Sequence, residues 1–259
     1  MDNFILTEQS GAVLRITLNR PDKFNCFNRA MAMQLQKSLD EAMSNKTTRA
    51  VLITGSGKAF CAGQDLGEAV DANGPGITRI VDEHYNPVIR KIRNIEKPVV
   101  CGVNGVAAGA GANIALACDV VIAGTSASFL QAFSKIGLIP DSSGTFFLPR
   151  LIGWQRASAL MMLGEKVPAE QALQMGMIYK VVSDDALQQE SMKIAETLAA
   201  LPTIGIDLTK RLLNESAFNT LDKQLDRERD VQTESANSSD YIEGVRAFLE
   251  KRKPVFTGE

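Results

Sequence analysis

Asp141 is the one acidic side chain between Ala132 and Gly153, in the stretch AFSKIGLIPDSSGTFFLPRLIG. A carboxyl set among Phe133, Leu138, Phe146 and Phe147 is a candidate proton carrier, because apolar neighbours disfavour its charged form and raise its pKa. The same residue could instead cap a helix beginning near Ser142, accepting an N–H from the first turn. The two readings differ in size. Losing a cap costs about 1 kcal/mol of stability, whereas losing a general acid–base costs roughly 10²–10⁴ in rate.

Two other segments could supply groups that hold a negative charge. In KAFCAGQDL and NGVAAGAGANIALACD, a strand runs into small residues and then a helix start. Small residues let a ligand approach the backbone. The first turn of a helix leaves N–H groups unpaired and points positive partial charge outward. Side by side, two such turns would form an oxyanion hole for a carbonyl acquiring charge. Tight strand–helix packing is the alternative explanation of either turn alone.

Other familiar patterns fail. GSGKAF lacks the glycine at 52 and the hydroxyl at 59 of a phosphate loop, having Leu52 and Ala59. In GAGANI the third glycine of a dinucleotide fingerprint falls on Ile114. No G-x-S-x-G elbow occurs. His84, the single histidine, sits in VDEHYNPVIR and reads as a partly exposed helix residue. Cys26, Cys61, Cys101 and Cys118 have no paired spacing, so no zinc set can be assembled and they read as small buried hydrophobes of a reducing compartment.

The chain that must position these groups has 259 residues, 45% of them hydrophobic, and a net charge of −2. That suffices for a substantial core and gives no basic face for nucleic acid. The uncharged run Val99–Cys118 is long enough to span a bilayer, but its glycines and two asparagines fit a buried strand, a loop and a helix better. The N-terminus shows no secretory signal.

Alternating Leu14, Ile16 and Leu18 mark a strand in a hairpin about Ser10–Gly11. Met31, Leu35, Leu39 and Met43 predict a helix from about Asn28 with these four on its core face. RAVLITGSG and KPVVCGVNG read as strands entering glycine turns, with helix over 77–94 between them. ANIALAC reads as helix and DVVIAGTSASFLQ as more strand. Strands alternating with helices indicate an α/β core. Beyond Trp154 the chain is mainly helical apart from MIYKVV, and the charges from Asp222 to Glu234 predict a solvated helix face. No internal repeat is visible in the residues themselves.

Five segments in order, TLNRPDKFNCFN, AFCAGQDL, KPVVCGVNGVAAGAGANIALACDVVIA, GLIPDSSGTFFLPRLIG and DYIEGVRAFLEKRKPVF, resemble the crotonase (enoyl-CoA hydratase/isomerase) superfamily. The resemblance implies an α/β fold: a crotonase-like spiral of repeated ββα turns over residues 1–200, then a helical C-terminal trimerisation region over 201–259. It further implies a homotrimer or dimer of trimers in the cytoplasm, acting on an acyl-CoA thioester. Coenzyme A would belong to the substrate, with no metal, nicotinamide or flavin, and with neither nucleic acid nor membrane as partner.

Carried over residue by residue, the resemblance places the two oxyanion donors on the backbone N–H groups of Gln64 and Ala110. It lays Ala62, Asp65 and Leu66 along the CoA moiety, with Gly109 and Phe133 at the acyl group and Arg20 and Lys23 near the CoA phosphates. Phe248 and Lys251 would close over the nucleotide from the same or a neighbouring subunit. The two glutamates of a hydratase fall on Asn113 and Phe133, an amide and a phenyl ring that take no proton at neutral pH. Asp141 is left as the working carboxylate, as in isomerases of the superfamily. RPDKFNCFN, FCAGQDL, YNPVIRKI and AFSKIGLIPD further resemble its ring-1,2-epoxyphenylacetyl-CoA isomerases, which open a ring epoxide to an oxepin and shift an enoyl double bond. Ser143 departs from the more usual glycine. The alternatives are a hydratase using Asp141 alone with a water, and a non-catalytic acyl-CoA-binding subunit.

Overall fold

The computed structural model describes residues 3–259. Strands β1 (Ile5–Ser10) and β2 (Val13–Leu18) form the expected antiparallel hairpin. Asn28 then accepts the Met31 N–H at 2.9 Å and opens helix α1 (Arg29–Ser44). Met31, Leu35 and Leu39 are buried as expected, but Met43 is 41% exposed. Each four-residue step advances about 40° beyond a full turn, so the fourth member has rotated off the core face and Ala42 is buried instead.

Three turns of a spiral follow, each laying a long strand in one sheet and a short strand in a second before closing with helix. The first holds β3 (Ala50–Gly55), β4 (Ala59–Cys61), α2 (Leu66–Val70), α3 (Gly76–Arg79), a π-helical turn over Ile80–Tyr85, and α4 (Asn86–Asn94). The second is β5 (Val99–Val103), β6 (Val106–Ala108) and α5 (Ala110–Leu116). The third is β7 (Val120–Gly124), β8 (Ser128–Leu130), a 3-10 turn over Ala132–Ile136, α6 (Gly144–Ile152) and α7 (Trp154–Leu163). The chain continues through β9 (Lys166–Pro168), α8 (Ala169–Gln174), β10 (Lys180–Val182) and α9 (Leu187–Ala199).

The long strands make a six-stranded sheet ordered β1-β2-β3-β5-β7-β10, and the short ones a four-stranded sheet ordered β4-β6-β8-β9. From β2 onward the larger sheet is parallel. Both its faces are covered, one by the main core and the other by α9, whose Leu187 and Ala195 pack with Leu52, Val100 and Ile122. Burial on both faces explains why β5 is an unbroken apolar run and not an alternating one. The stretch tested for a membrane span is thus β5, β6 and α5, and among the described residues no helix is long and apolar enough to cross a bilayer.

Helices α10 (Thr203–Ser216), α11 (Leu221–Ala236) and α12 (Ser239–Leu249) complete the chain. A buried cation fastens α10 to the spiral. Lys210 pairs with Asp119 at 2.8 Å and donates to the Ile92 carbonyl at 2.8 Å, while Arg93 reaches the same carboxylate at 2.8 Å. On α11 only Val231 is buried, as the charge run predicts. The tail then returns to the body, where Arg49 donates to the carbonyls of Leu201 at 2.7 Å and Phe256 at 2.6 Å.

Candidate active site

Phe27 and Gln64 form an isolated parallel bridge, in which the Phe27 N–H donates to the Gly63 carbonyl at 2.7 Å and the Asp65 N–H to the Phe27 carbonyl at 2.8 Å. Because successive peptide groups alternate in direction, the Gln64 N–H between them faces away from Phe27. Gly63 (φ 94°) makes the turn possible: a Cβ there would lie 3.0 Å from the Ala108 oxygen and 3.8 Å from the Ala110 nitrogen. The first turn therefore rests directly against the second.

In that second turn Gly109 adopts φ 54°, ψ −127°, a backbone state open in practice to glycine alone, and donates its N–H to the Leu130 carbonyl at 2.8 Å. The next residue, Ala110, is the first of α5, so its N–H belongs to the turn that has no intrahelical acceptor. Gly111 lets α5 sit on β4, since a Cβ there would come within 2.4 Å of the Cys61 oxygen.

Both turns open on a cavity of about 350 Å³ whose wall includes Gly63, Gln64, Gly109, Ala110, Phe133 and Asp141. Asp141 is not a helix cap. Helix α6 starts only at Gly144, after Ser142 and Ser143 in left-handed backbone (φ 49° and 66°), and no side chain caps it. The Asp141 carboxylate instead accepts the Ser142 hydroxyl at 2.9 Å. Burial raises its pKa, and the Ser142 bond opposes this only in part. Of the four apolar neighbours expected around it, Phe133 and Leu138 line the cavity. The other two do not join that wall: Phe146 stacks on Phe218 at 5.6 Å between ring centroids, and Phe147 lies 5.3 Å from the Arg93 guanidinium.

Tyr85 is a wall residue that sequence reasoning missed. It is buried, and its hydroxyl donates to the Gln64 side-chain oxygen at 2.7 Å. The π-helical turn explains both this and a correction. Asn86 N–H reaches back five residues to the Val81 carbonyl, which shifts the helical register by one position and brings Tyr85 to the cavity. His84, expected to be partly exposed, is fully buried and lies outside the lining, its Nδ1 without a hydrogen-bond partner. Burial lowers its pKa.

The outer candidates divide. Ala62 and Leu66 line the cavity. Arg20 is held in an ion pair with Asp65 at 2.7 Å and also donates to the Cys26 carbonyl at 3.0 Å. Asp65 additionally caps α2 by accepting the Gly67 N–H at 3.0 Å. Burial pushes its carboxyl up, but Arg20 and the capping N–H outweigh that and hold it below the usual range. Lys23 ends an exposed turn. Phe248, 82% exposed, sits in a separate outer groove with Tyr241, Leu249 and Phe256, and Lys251 lies just beyond it on the surface. Within one chain neither reaches the cavity. Cys61, Cys101 and Cys118 are buried as read, with burial driving the Cys61 thiol up to about 12, while Cys26 is only half-buried. Among the described residues no group of three or more metal-ligating side chains occurs.

A carbonyl oxygen placed between the two N–H groups would be stabilised as negative charge accumulates on it. A partly buried carboxylate lining the same cavity can move a proton at a neighbouring carbon. Comparison with known proteins gives the family. The enoyl-CoA hydratase/isomerase family pattern matches residues 8–259. A 1,2-epoxyphenylacetyl-CoA isomerase of Escherichia coli (strain K12) is 49% identical over 100% of both chains. A trans-2-decenoyl-[acyl-carrier-protein] isomerase of Streptococcus mutans serotype c is 37% identical, covering 98% of each. The crystal structure of an enoyl-CoA hydratase from Polaromonas sp. JS666 superposes with a TM-score of 0.91 at 35% identity, covering 97% of this chain and 99% of that one. With the turns at Gln64 and Ala110 and the Asp141 carboxyl lining one cavity of a ββα spiral, and a family match over residues 8–259, this chain belongs to the enoyl-CoA hydratase/isomerase family of acyl-CoA enzymes.

Proposed function

We propose that the protein is an acyl-CoA isomerase that rearranges ring-1,2-epoxyphenylacetyl-CoA to its oxepin isomer and shifts the double bond of a 3-enoyl-CoA to the 2-position. The observation that carries this reading is the inventory of the cavity wall, where Asp141 is the single carboxylate among the lining residues. Hydration across a double bond calls for one group to activate water and another to deliver a proton. A double-bond shift calls for one group that takes a proton and gives the same proton back.

In the proposed reaction the thioester oxygen accepts from the Gln64 and Ala110 N–H groups. The Asp141 carboxylate removes a proton from the α-carbon, and the electron pair moves onto the oxygen as a dienolate. Asp141, now protonated, returns that proton to the γ-carbon, the carbonyl re-forms, and the double bond is left between the α- and β-carbons. No atom is gained or lost. With the ring epoxide, the same hole holds the thioester while Asp141 assists the equally atom-conserving expansion to the seven-membered ring.

The test is product mass over a small panel of CoA esters containing the ring epoxide and several 3-enoyl-CoAs, run in heavy-oxygen water. Products of unchanged mass are expected. A 3-hydroxyacyl product carrying solvent oxygen would establish a hydratase, and tight ester binding without turnover would establish a binding subunit; either result ends the isomerase reading.

Coenzyme A enters this scheme as part of the substrate, with no dissociable cofactor. The free cysteines suit a cytoplasmic enzyme, which cell fractionation would check. Exposed Leu213, Phe218, Leu221 and Leu225 on and between α10 and α11 support a trimer or a dimer of trimers. Light scattering should give three or six times the chain mass, and a monomer at micromolar concentration would refute the assembly.

A further inference from the structure

We infer that Asn113 is a positioning residue whose amide sets the distance between the Ala110 N–H and the Asp141 carboxylate. The inference rests on the reading of Asp141 as the proton carrier and extends it to a residue that touches neither substrate nor reacting atoms. Asn113 lies three positions after Ala110 on α5, and so on the same side of that helix. Its Nδ2 donates to the Asp141 main-chain carbonyl at 2.8 Å. Its Oδ1 accepts from Gln131 Nε2 at 2.7 Å, which fixes the amide's orientation, and both side chains are almost wholly buried. One short helix thus carries an oxyanion donor at its first residue and a grip on the acid at its fourth.

The acid needs a grip. Ser134 to Ile139 are exposed, and the segment from Gly137 to Ser143 has no regular structure to hold it. Asp141 is followed by two left-handed non-glycine residues, a conformation of order 1–3 kcal/mol above the ordinary wells for each, so surrounding contacts must enforce it. Room for the bond is built in: a Cβ on Gly144 would fall 2.4 Å from Asn113 Nδ2. A misplacement of about 1 Å at a reacting group can cost on the order of 10²-fold in rate.

Two variants test this with steady-state kinetics on a 3-enoyl-CoA. Asn113→Leu fills the space without the donor; kcat should fall about 10- to 100-fold with KM within about twofold of wild type and cooperative unfolding retained. Asn113→Asp keeps the shape and can donate to the Asp141 carbonyl only while protonated. Its kcat should decline as pH rises, across a range where the wild-type rate is level or climbing. Wild-type kcat in a folded Asn113→Leu protein would overturn the inference. If that variant does not fold, the Asn113→Asp profile decides, since a curve parallel to wild type would overturn it equally. Asp141→Asn separates the two layers: full activity there sinks the proton-carrier reading itself, whereas a dead Asp141→Asn beside unperturbed Asn113 variants sinks only the positioning role.

Discussion

Asp141→Asn is expected to lower turnover of a 3-enoyl-CoA by about 10²–10⁴ while leaving the fold and CoA-ester binding in place. The amide has the shape of the carboxylate but cannot accept the α-proton. The same substitution should change stability in a defined direction. Burial raises the Asp141 pKa in the folded protein above its unfolded value. The folded state therefore holds the proton more tightly, and the stability linked to this group is complete below the unfolded pKa and is lost as pH rises through the folded one. An amide has no charge to bury at any pH. Asp141→Asn should accordingly melt higher than wild type in mildly alkaline buffer, with the gain vanishing in acid below the ordinary aspartate value of about 3.9. Near-normal turnover would show that this carboxyl does not carry the proton, and a variant less stable than wild type in alkaline buffer would show that it does not resist ionisation. The wild-type rate should also fall on the acid side at a pH above the usual carboxylate range, because only the ionised form is a base.

The second large effect comes from deleting a donor that no ordinary side-chain change can remove. Ala110 is the first residue of α5, where proline's fixed φ is tolerated and no intrahelical hydrogen bond is sacrificed. The preceding residue, normally restricted by proline, is glycine. Ala110→Pro should therefore keep α5 and remove one of the two N–H groups, lowering kcat about 10²–10³-fold, the loss expected of one oxyanion-hole donor. Ala110→Ser, which retains the N–H, is the control and should stay within a small factor of wild type. Equal activity of the proline and serine variants, with helix content intact by circular dichroism, would remove the hole from the mechanism.

Much of this site was legible in the residues, and the reasons are local. Asp141 stood out because no other acid lies between Ala132 and Gly153, and the two turns stood out because small residues between a strand and a helix have few other uses. The spiral came from resemblance, since its repeat lies in backbone geometry and not in recurring residue types. Strands β6 and β9 have three residues each, too few for an alternation to register. The π-helical turn that buries His84 and brings Tyr85 to the cavity breaks the period from which helix faces are read. Met43 followed the expected spacing and still left the core, because a strict fourfold step drifts around the helix. Arg20 looked like a free cation because its partner, Asp65, lies 45 positions away in sequence. Asn113 registered only as a missing glutamate, and its grip on Asp141 required the folded chain to become visible.

The proposed placement of both donors in the polypeptide backbone has a consequence for inheritance. A codon change at 64 or 110 alters what projects from the chain, yet nineteen of the twenty encoded residues leave the amide hydrogen where it is. The charge-holding half of such a centre is therefore buffered against genetic drift, whereas the acid is a single replaceable letter. Lineages built on this scaffold can exchange the reaction they perform by relocating carboxylates, without ever rebuilding the cradle that makes a thioester reactive.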